Sequence, residues 1–201
     1  MIAVQHTIPN VAVLLSWARA ETRALVDRNF INKELAARSD SNADLSPDDI
    51  RDLIRGIECY RRGFFDHFIA NPTAWFEATC PVSEIGNLSL CSYFYGTYKV
   101  NCEARIFPTL AELAEGAPEF KLPDTFDWNA MRGRPTVVCS RHNGPWCILE
   151  GTHRLAEIYR AWKASKSMPE SVPCFVGVCE TVEQWSFWRS SRPAPALHKQ
   201  R

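Results

Sequence analysis

The stretch Trp146-Cys-Ile-Leu-Glu-Gly-Thr-His-Arg-Leu-Ala-Glu-Ile-Tyr159 decides how this chain is read. Its first four residues, Trp146 to Leu149, form a continuous apolar run of the kind a short buried strand carries. Gly151 turns the chain, and a helix starts near Thr152. A helix N-terminus presents backbone N–H groups without intrahelical partners and a partial positive charge. His153 and Arg154 stand in that first turn, where a cation opposes the helix dipole unless an anion arrives. A local conflict of this kind is what a functional site leaves in a sequence. The turn therefore reads as a pocket for a phosphate or another oxyanion, held by the amides of Gly151 and Thr152 with His153 and Arg154. Thr152 either caps the helix or lends its hydroxyl to the phosphate. Glu150 sets a carboxylate beside this cationic turn. That suits a metal ligand or a proton acceptor, against the plainer reading of a strand-end ion pair with an arginine.

Working outward, Arg134-Pro-Thr-Val-Val-Cys139 reads as the preceding strand and Val172-Pro-Cys-Phe-Val-Gly-Val178 as the strand that follows the helix. With these flanks, Glu150-Gly-Thr-His-Arg-Leu-Ala156 resembles the (Asp/Glu)-Gly-x-His-Arg-x-Ala signature of the ParB/sulfiredoxin superfamily. That superfamily includes partition-protein N-terminal domains, sulfiredoxins, free serine kinases and ParB-like nucleases. The resemblance covers residues 123–188 well, 80–122 loosely and 1–79 not at all. It implies an α+β fold, a ParB/sulfiredoxin-like mixed sheet with packed helices, to which this chain adds an N-terminal helical extension. It also implies that the turn holds the phosphates of a nucleotide, ATP or ADP with CTP as a further candidate, together with Mg²⁺.

By resemblance to the free serine kinases, the expected reaction is phosphoryl transfer to a small hydroxyl-bearing metabolite. Glu150 and His153 would then be the catalytic pair and Glu150 the metal ligand. Sulfiredoxins carry their catalytic cysteine where this chain has Thr152, so sulfinic-acid reduction is not expected. Two alternatives remain. One is a ParB-like nuclease or phosphodiesterase using the same acid-His-Arg group; the other is a nucleotide-gated binding module that assembles as a homodimer through its N-terminal helices. No DNA-reading helix-turn-helix is read beyond residue 189, so partition activity is not expected.

Composition sets bounds on these readings. Lys plus Arg and Asp plus Glu both number 23 among 201 residues, so the formal net charge is zero. A protein that coats nucleic acid needs a concentrated basic surface, and nucleic acid is not an expected partner. No apolar stretch approaches membrane-spanning length and no signal sequence is read, which makes a cytoplasmic location the expectation. The eight cysteines include no C-x-x-C pair, and most lie inside apolar runs. They read as buried free thiols.

Along the chain, residues 1–73 read as the helical extension, with one helix over 10–38 and a second over 46–70. The second opens with Ser46-Pro47-Asp48-Asp49, a capping serine followed by proline and acids. Residues 74–190 read as the ParB/sulfiredoxin-like domain and 191–201 as a flexible tail. Expected inside the domain are a strand over 88–98, a helix over 107–114, strands over 135–139, 146–149 and 172–179, and helices over 152–165 and 181–189. A second acid is expected near Glu150, with Glu84, Glu103 and Asp127 as candidates. Arg134, and with it Arg132, is placed to reach the same anion. The Arg141-His142-Asn143-Gly144 run reads as a hairpin turn, so His142 is structural. Trp128, Trp146, Trp185 and Trp188 read as core before base-stacking.

Overall fold

A computed structural model of the chain describes residues 2–41, 44–61, 63–91, 99–100, 103–104, 108–116, 133–141, 144–166, 168–185 and 187–188. The architecture is mixed α+β, built on a six-stranded mixed sheet. Its strands are β1 (Ala3–Ile8), β2 (Ala74–Pro81), β3 (Ser89–Leu90), β6 (Thr136–Cys139), β7 (Cys147–Glu150) and β8 (Ser171–Val178). They lie in the order β1-β2-β8-β6-β7-β3. β2 runs antiparallel to β1 and β8, β6 is parallel to β8 and antiparallel to β7, and β3 is parallel to β7. Between them in sequence, β4 (Lys99–Val100) and β5 (Glu103–Ala104) form a separate antiparallel pair.

The central strands are buried on both faces, which is why they read as unbroken apolar runs. Successive side chains of a strand point to opposite faces, and the two cores divide accordingly. Val137, Ile148 and Val176 join one core, while Val138, Leu149 and Phe175 join the other. On the first face lie α6 (Leu110–Gly116), α7 (Thr152–Lys163) and a 3-10 turn over Val82–Asn87. On the second lie α1 (Asn10–Ala20), α2 (Thr22–Asp27), α3 (Lys33–Asp40), α4 (Pro47–Tyr60) and α5 (Asp66–Ala70). An aromatic group ties these helices to the sheet: Phe65 stacks on Trp75 with ring centroids 5.8 Å apart, and Phe68 meets Trp185 edge-on at 5.0 Å.

The residues 1–73 are thus helices packed on the sheet, preceded by a strand that joins it. β1 is almost wholly exposed, so its sequence carries no hydrophobic face to announce it. It becomes a strand because the edge of β2 offers backbone partners from Trp75 to Thr79. The helix expected over 10–38 is three helices. The chain breaks at Glu21 and again near Asn29, which takes φ +60°, a conformation asparagine tolerates better than most residues. Asn32 then caps α3, accepting from the Leu35 amide at 2.7 Å. The helix expected over 46–70 opens with the anticipated capping serine, Ser46, which the structure extends to a capping box with Asp49, and then breaks near Gly63, at φ +82°. Downstream, the helix expected over 107–114 lies at Leu110–Gly116, and that over 181–189 is a 3-10 turn at Val182–Gln184. The strand expected over 88–98 is seen as Ser89–Leu90, its remainder lying largely outside the described residues. No helix among the described residues is long and apolar enough to cross a membrane.

Candidate functional site

β7 ends at Glu150, Gly151 takes a left-handed conformation (φ +90°), and α7 begins at Thr152. A side chain at Gly151 would be strained by that φ, and its Cβ would lie 3.0 Å from both Cα and Cβ of Pro135. The N-cap position is Gly151, so the first-turn amides of α7 have neither a helical carbonyl nor a capping oxygen from that residue. Thr152 is 2% exposed, and its buried hydroxyl oxygen has no hydrogen-bond partner among the described residues. The helix N-terminus expected from sequence is therefore present, with a polar atom enclosed in its first turn.

Arg154 and Glu150, four residues apart, form an ion pair through Nη2 and Oε2, with side chains 16% and 12% exposed. Arg154 Nη1 also donates to the carbonyl of Gly133 at 2.7 Å. The guanidinium thereby ties the motif to the segment leading into β6. Burial pushes the Glu150 carboxyl above its usual pKa; Arg154 pulls it down, Glu21 pushes it up, and Arg61 and the Gly151 amide pull it down. The His153 ring lies exposed at the edge of the turn, yet enough protein surrounds it to hold its pKa below the ordinary imidazole value. Glu21 opposes that lowering, and the cations Arg154 and Arg61 add to it.

Glu21 and Arg61 form the part of this cluster that sequence reasoning missed. Glu21 follows the last residue of α1, and Arg61 follows the last residue of α4. Their side chains pair with each other across 40 residues of sequence, 20% and 22% exposed. Each stands in a charged run, Arg19-Ala-Glu-Thr-Arg23 and Arg61-Arg62, that reads as a solvated face, so no local signal marks either one.

Arg134 turns to β2, where its Nη1 pairs with Glu77 at 2.7 Å and its guanidinium lies over the Phe175 ring at 5.3 Å. Glu84 is exposed on the 3-10 turn. Glu103 is described only through its strand backbone, and Asp127, Trp128, Arg132 and His142 lie outside the described residues. Trp185 is buried in the second core, with Trp188 packed against that core and Trp146 against the first. Among the described cysteines all are free thiols, with Cys59 alone exposed. Comparison with protein-family models, with curated proteins and with solved structures finds no match.

Among the described residues no group of three or more His, Cys, Asp or Glu side chains is placed to hold a metal ion. Mg²⁺ asks for less, since it commonly takes one or two carboxylates and fills its remaining positions with phosphate oxygens and water. Glu150 fits that role only once its carboxylate leaves Arg154.

Proposed function

We propose that this protein is a nucleotide-dependent enzyme that transfers a phosphoryl group to a small hydroxyl-bearing metabolite, with the 150–154 turn as its phosphate site. We further propose that its sheet is of the ParB/sulfiredoxin type, on the strength of the strand–glycine–helix motif between β6 and β8. The observation that carries the reading is the N-terminus of α7, open at Gly151, with a guanidinium, a buried hydroxyl and a carboxylate in one turn.

In this reading the phosphate takes the first-turn amides of α7, the Thr152 hydroxyl and Arg154. The raised proton affinity of Glu150 suits it to accept the proton of an attacking hydroxyl, because a general base works best with a pKa nearer the working pH. The surroundings lower the proton affinity of His153, and an anionic phosphate beside it would raise that affinity again. Alternatively, Glu150 would be the protein ligand of a Mg²⁺ ion, which would neutralise charge on the phosphates. Catalysis would come from positioning and charge.

A second reading is favoured by the reach of the N-terminal helices toward the turn through Glu21 and Arg61. In it, nucleotide binding moves those helices and drives homodimer assembly without chemistry.

The test is calorimetric titration of ATP, ADP and CTP with Mg²⁺ into the wild type, Arg154→Ala and Thr152→Val, followed by an acceptor screen beginning with serine. Micromolar binding that is lost in Arg154→Ala and weakened in Thr152→Val supports the phosphate site. Thr152→Val guards against misfolding as the explanation, because removing a buried hydroxyl that has no partner among the described residues is neutral or stabilising by about 1 kcal/mol. Binding without phosphoryl transfer to any acceptor, but with a change of oligomeric state, favours the gated module. No nucleotide binding at all removes both readings.

A further inference from the structure

Four charged side chains from three separate parts of the chain gather as two ion pairs beside the N-terminus of α7. The connection between them is physical. Gly133 lies against the C-terminal end of α1, so closely that a Cβ there would stand 2.4 Å from the Ser16 carbonyl oxygen and 2.9 Å from the Ala20 Cβ. Glu21 is the next residue after Ala20. The carbonyl of the same Gly133 accepts from Arg154. The Arg61 guanidinium, in turn, lies 4.9 Å from the ring centroid of Tyr60 and pairs with Glu21.

Such pairs are not explained by stability. Taking two charges out of water costs more than a surface pair returns, and a buried pair is often no better than apolar side chains of the same volume. All four side chains are no more than 22% exposed. They converge, through Gly133, where a helix of 12 residues opens at a glycine N-cap, and where the buried Thr152 hydroxyl lacks a partner among the described residues.

We propose that Arg61 and Arg154 are the two halves of one diphosphate site, and that Glu21 and Glu150 are built-in anions that hold the guanidiniums in place until the ligand displaces them. This rests on the phosphate-site reading above and adds to it a second cation, a competing carboxylate and a ligand class. The ligand carries two linked phosphoryl groups, one for each guanidinium. Among the described residues, the two carboxylates balance the charge of the two guanidiniums. The arginines are thus ordered before the ligand arrives, which lowers the entropy cost of binding. The displaced carboxylates are left facing the bound phosphates, free for a proton or a cation. The N-terminal helices then belong to the binding site itself.

Glu21 makes the idea testable, because a competitor and a structural partner respond in opposite directions. Inorganic pyrophosphate is titrated calorimetrically into the full chain as wild type, Glu21→Gln, Arg61→Met, Arg61→Lys and Arg51→Ala. Arg51 is a control on the same α4, paired with Asp48 on the exposed surface. Thermal unfolding is recorded for each variant. Removing the competing charge in Glu21→Gln should tighten pyrophosphate roughly three- to tenfold. Arg61→Met should weaken it roughly tenfold or more, with partial recovery in Arg61→Lys and no change in Arg51→Ala. Weaker or unchanged binding in the folded Glu21→Gln variant would overturn the proposal. So would wild-type affinity in Arg61→Met, or no pyrophosphate binding by either the wild type or Glu21→Gln. Pyrophosphate binding through Arg61 without phosphoryl transfer keeps this site and removes the phosphotransferase. Nucleotide binding and transfer that need Arg154 but ignore Arg61 do the reverse.

Discussion

Arg154 donates to the carbonyl of Gly133 at 2.7 Å while the Gly133 backbone presses on Ser16 of α1. Motif, sheet and N-terminal helices meet at that one glycine. Its φ of +69° and the 2.4 Å separation between a built Cβ and the Ser16 oxygen leave no room for any side chain. Gly133→Ala is expected to destabilise the chain by at least about 2 kcal/mol. Chemical denaturation measures this, and a change below about 0.5 kcal/mol would show that α1 moves aside freely.

The helices of residues 1–73 bury Val138, Cys147, Leu149 and Phe175 of the sheet. A chain starting at residue 74 would expose that whole face and lose β1 from the sheet edge. The expected result is a chain without a cooperative thermal transition and with strong binding of a hydrophobic dye. A sharp transition for the truncated chain would mean that the sheet domain stands alone.

Thiol chemistry should divide the cysteines sharply. Burial pushes Cys80 up to about 11, and Cys139 and Cys174 up to about 12. Cys147, fully enclosed, lies well above the ordinary thiol range. The thiolate is the reactive form, so at about pH 8 iodoacetamide should label Cys59 and spare these four until the chain unfolds. Peptide mass spectrometry reads the pattern, and early labelling of Cys147 or Cys139 would contradict it.

The raised pKa of Glu150 fixes the sign of a pH effect. Below about 4.5, its ordinary value, the carboxyl is protonated in both the folded and the unfolded chain. As pH rises, the unfolded chain releases this proton first, so the folded state loses stability until Glu150 itself ionises. Glu150→Gln has no such proton. The stability difference between Glu150→Gln and the wild type should therefore shift in favour of glutamine from about pH 4.5 toward neutrality. Denaturant unfolding at several pH values gives the slope, and a flat or opposite trend would place Glu150 in a charge-stabilising environment.

Much of the central fold was legible because its signals are local. β6, β7, α7 and β8 follow from apolar runs, a glycine turn and a helical pattern, each readable within a dozen residues of sequence. The Ser46 cap was legible for the same reason. The site was legible only in part: the Glu150–Gly151–Thr152–His153–Arg154 turn has the strand-to-helix geometry that its sequence implies. Arg134 was expected to reach the same anion because it flanks Gly133 just before a strand. It turns instead to Glu77, a partner supplied by a strand that sequence spacing could not bring alongside.

The amino-acid sequence by itself determined the elements around the motif, the glycine that reverses the chain and the cations in the first turn of α7. Periodicity and turn chemistry act over a few residues and need no knowledge of the rest of the chain. Tertiary structure alone decided that β1 joins the sheet, that the helical region breaks at Glu21 and near Asn29, and that Glu21 meets Arg61 beside Glu150 and His153. An exposed edge strand carries no hydrophobic pattern, and an ion pair spanning 40 residues leaves no spacing to read. Both arise only when packing on the sheet fixes where each segment ends.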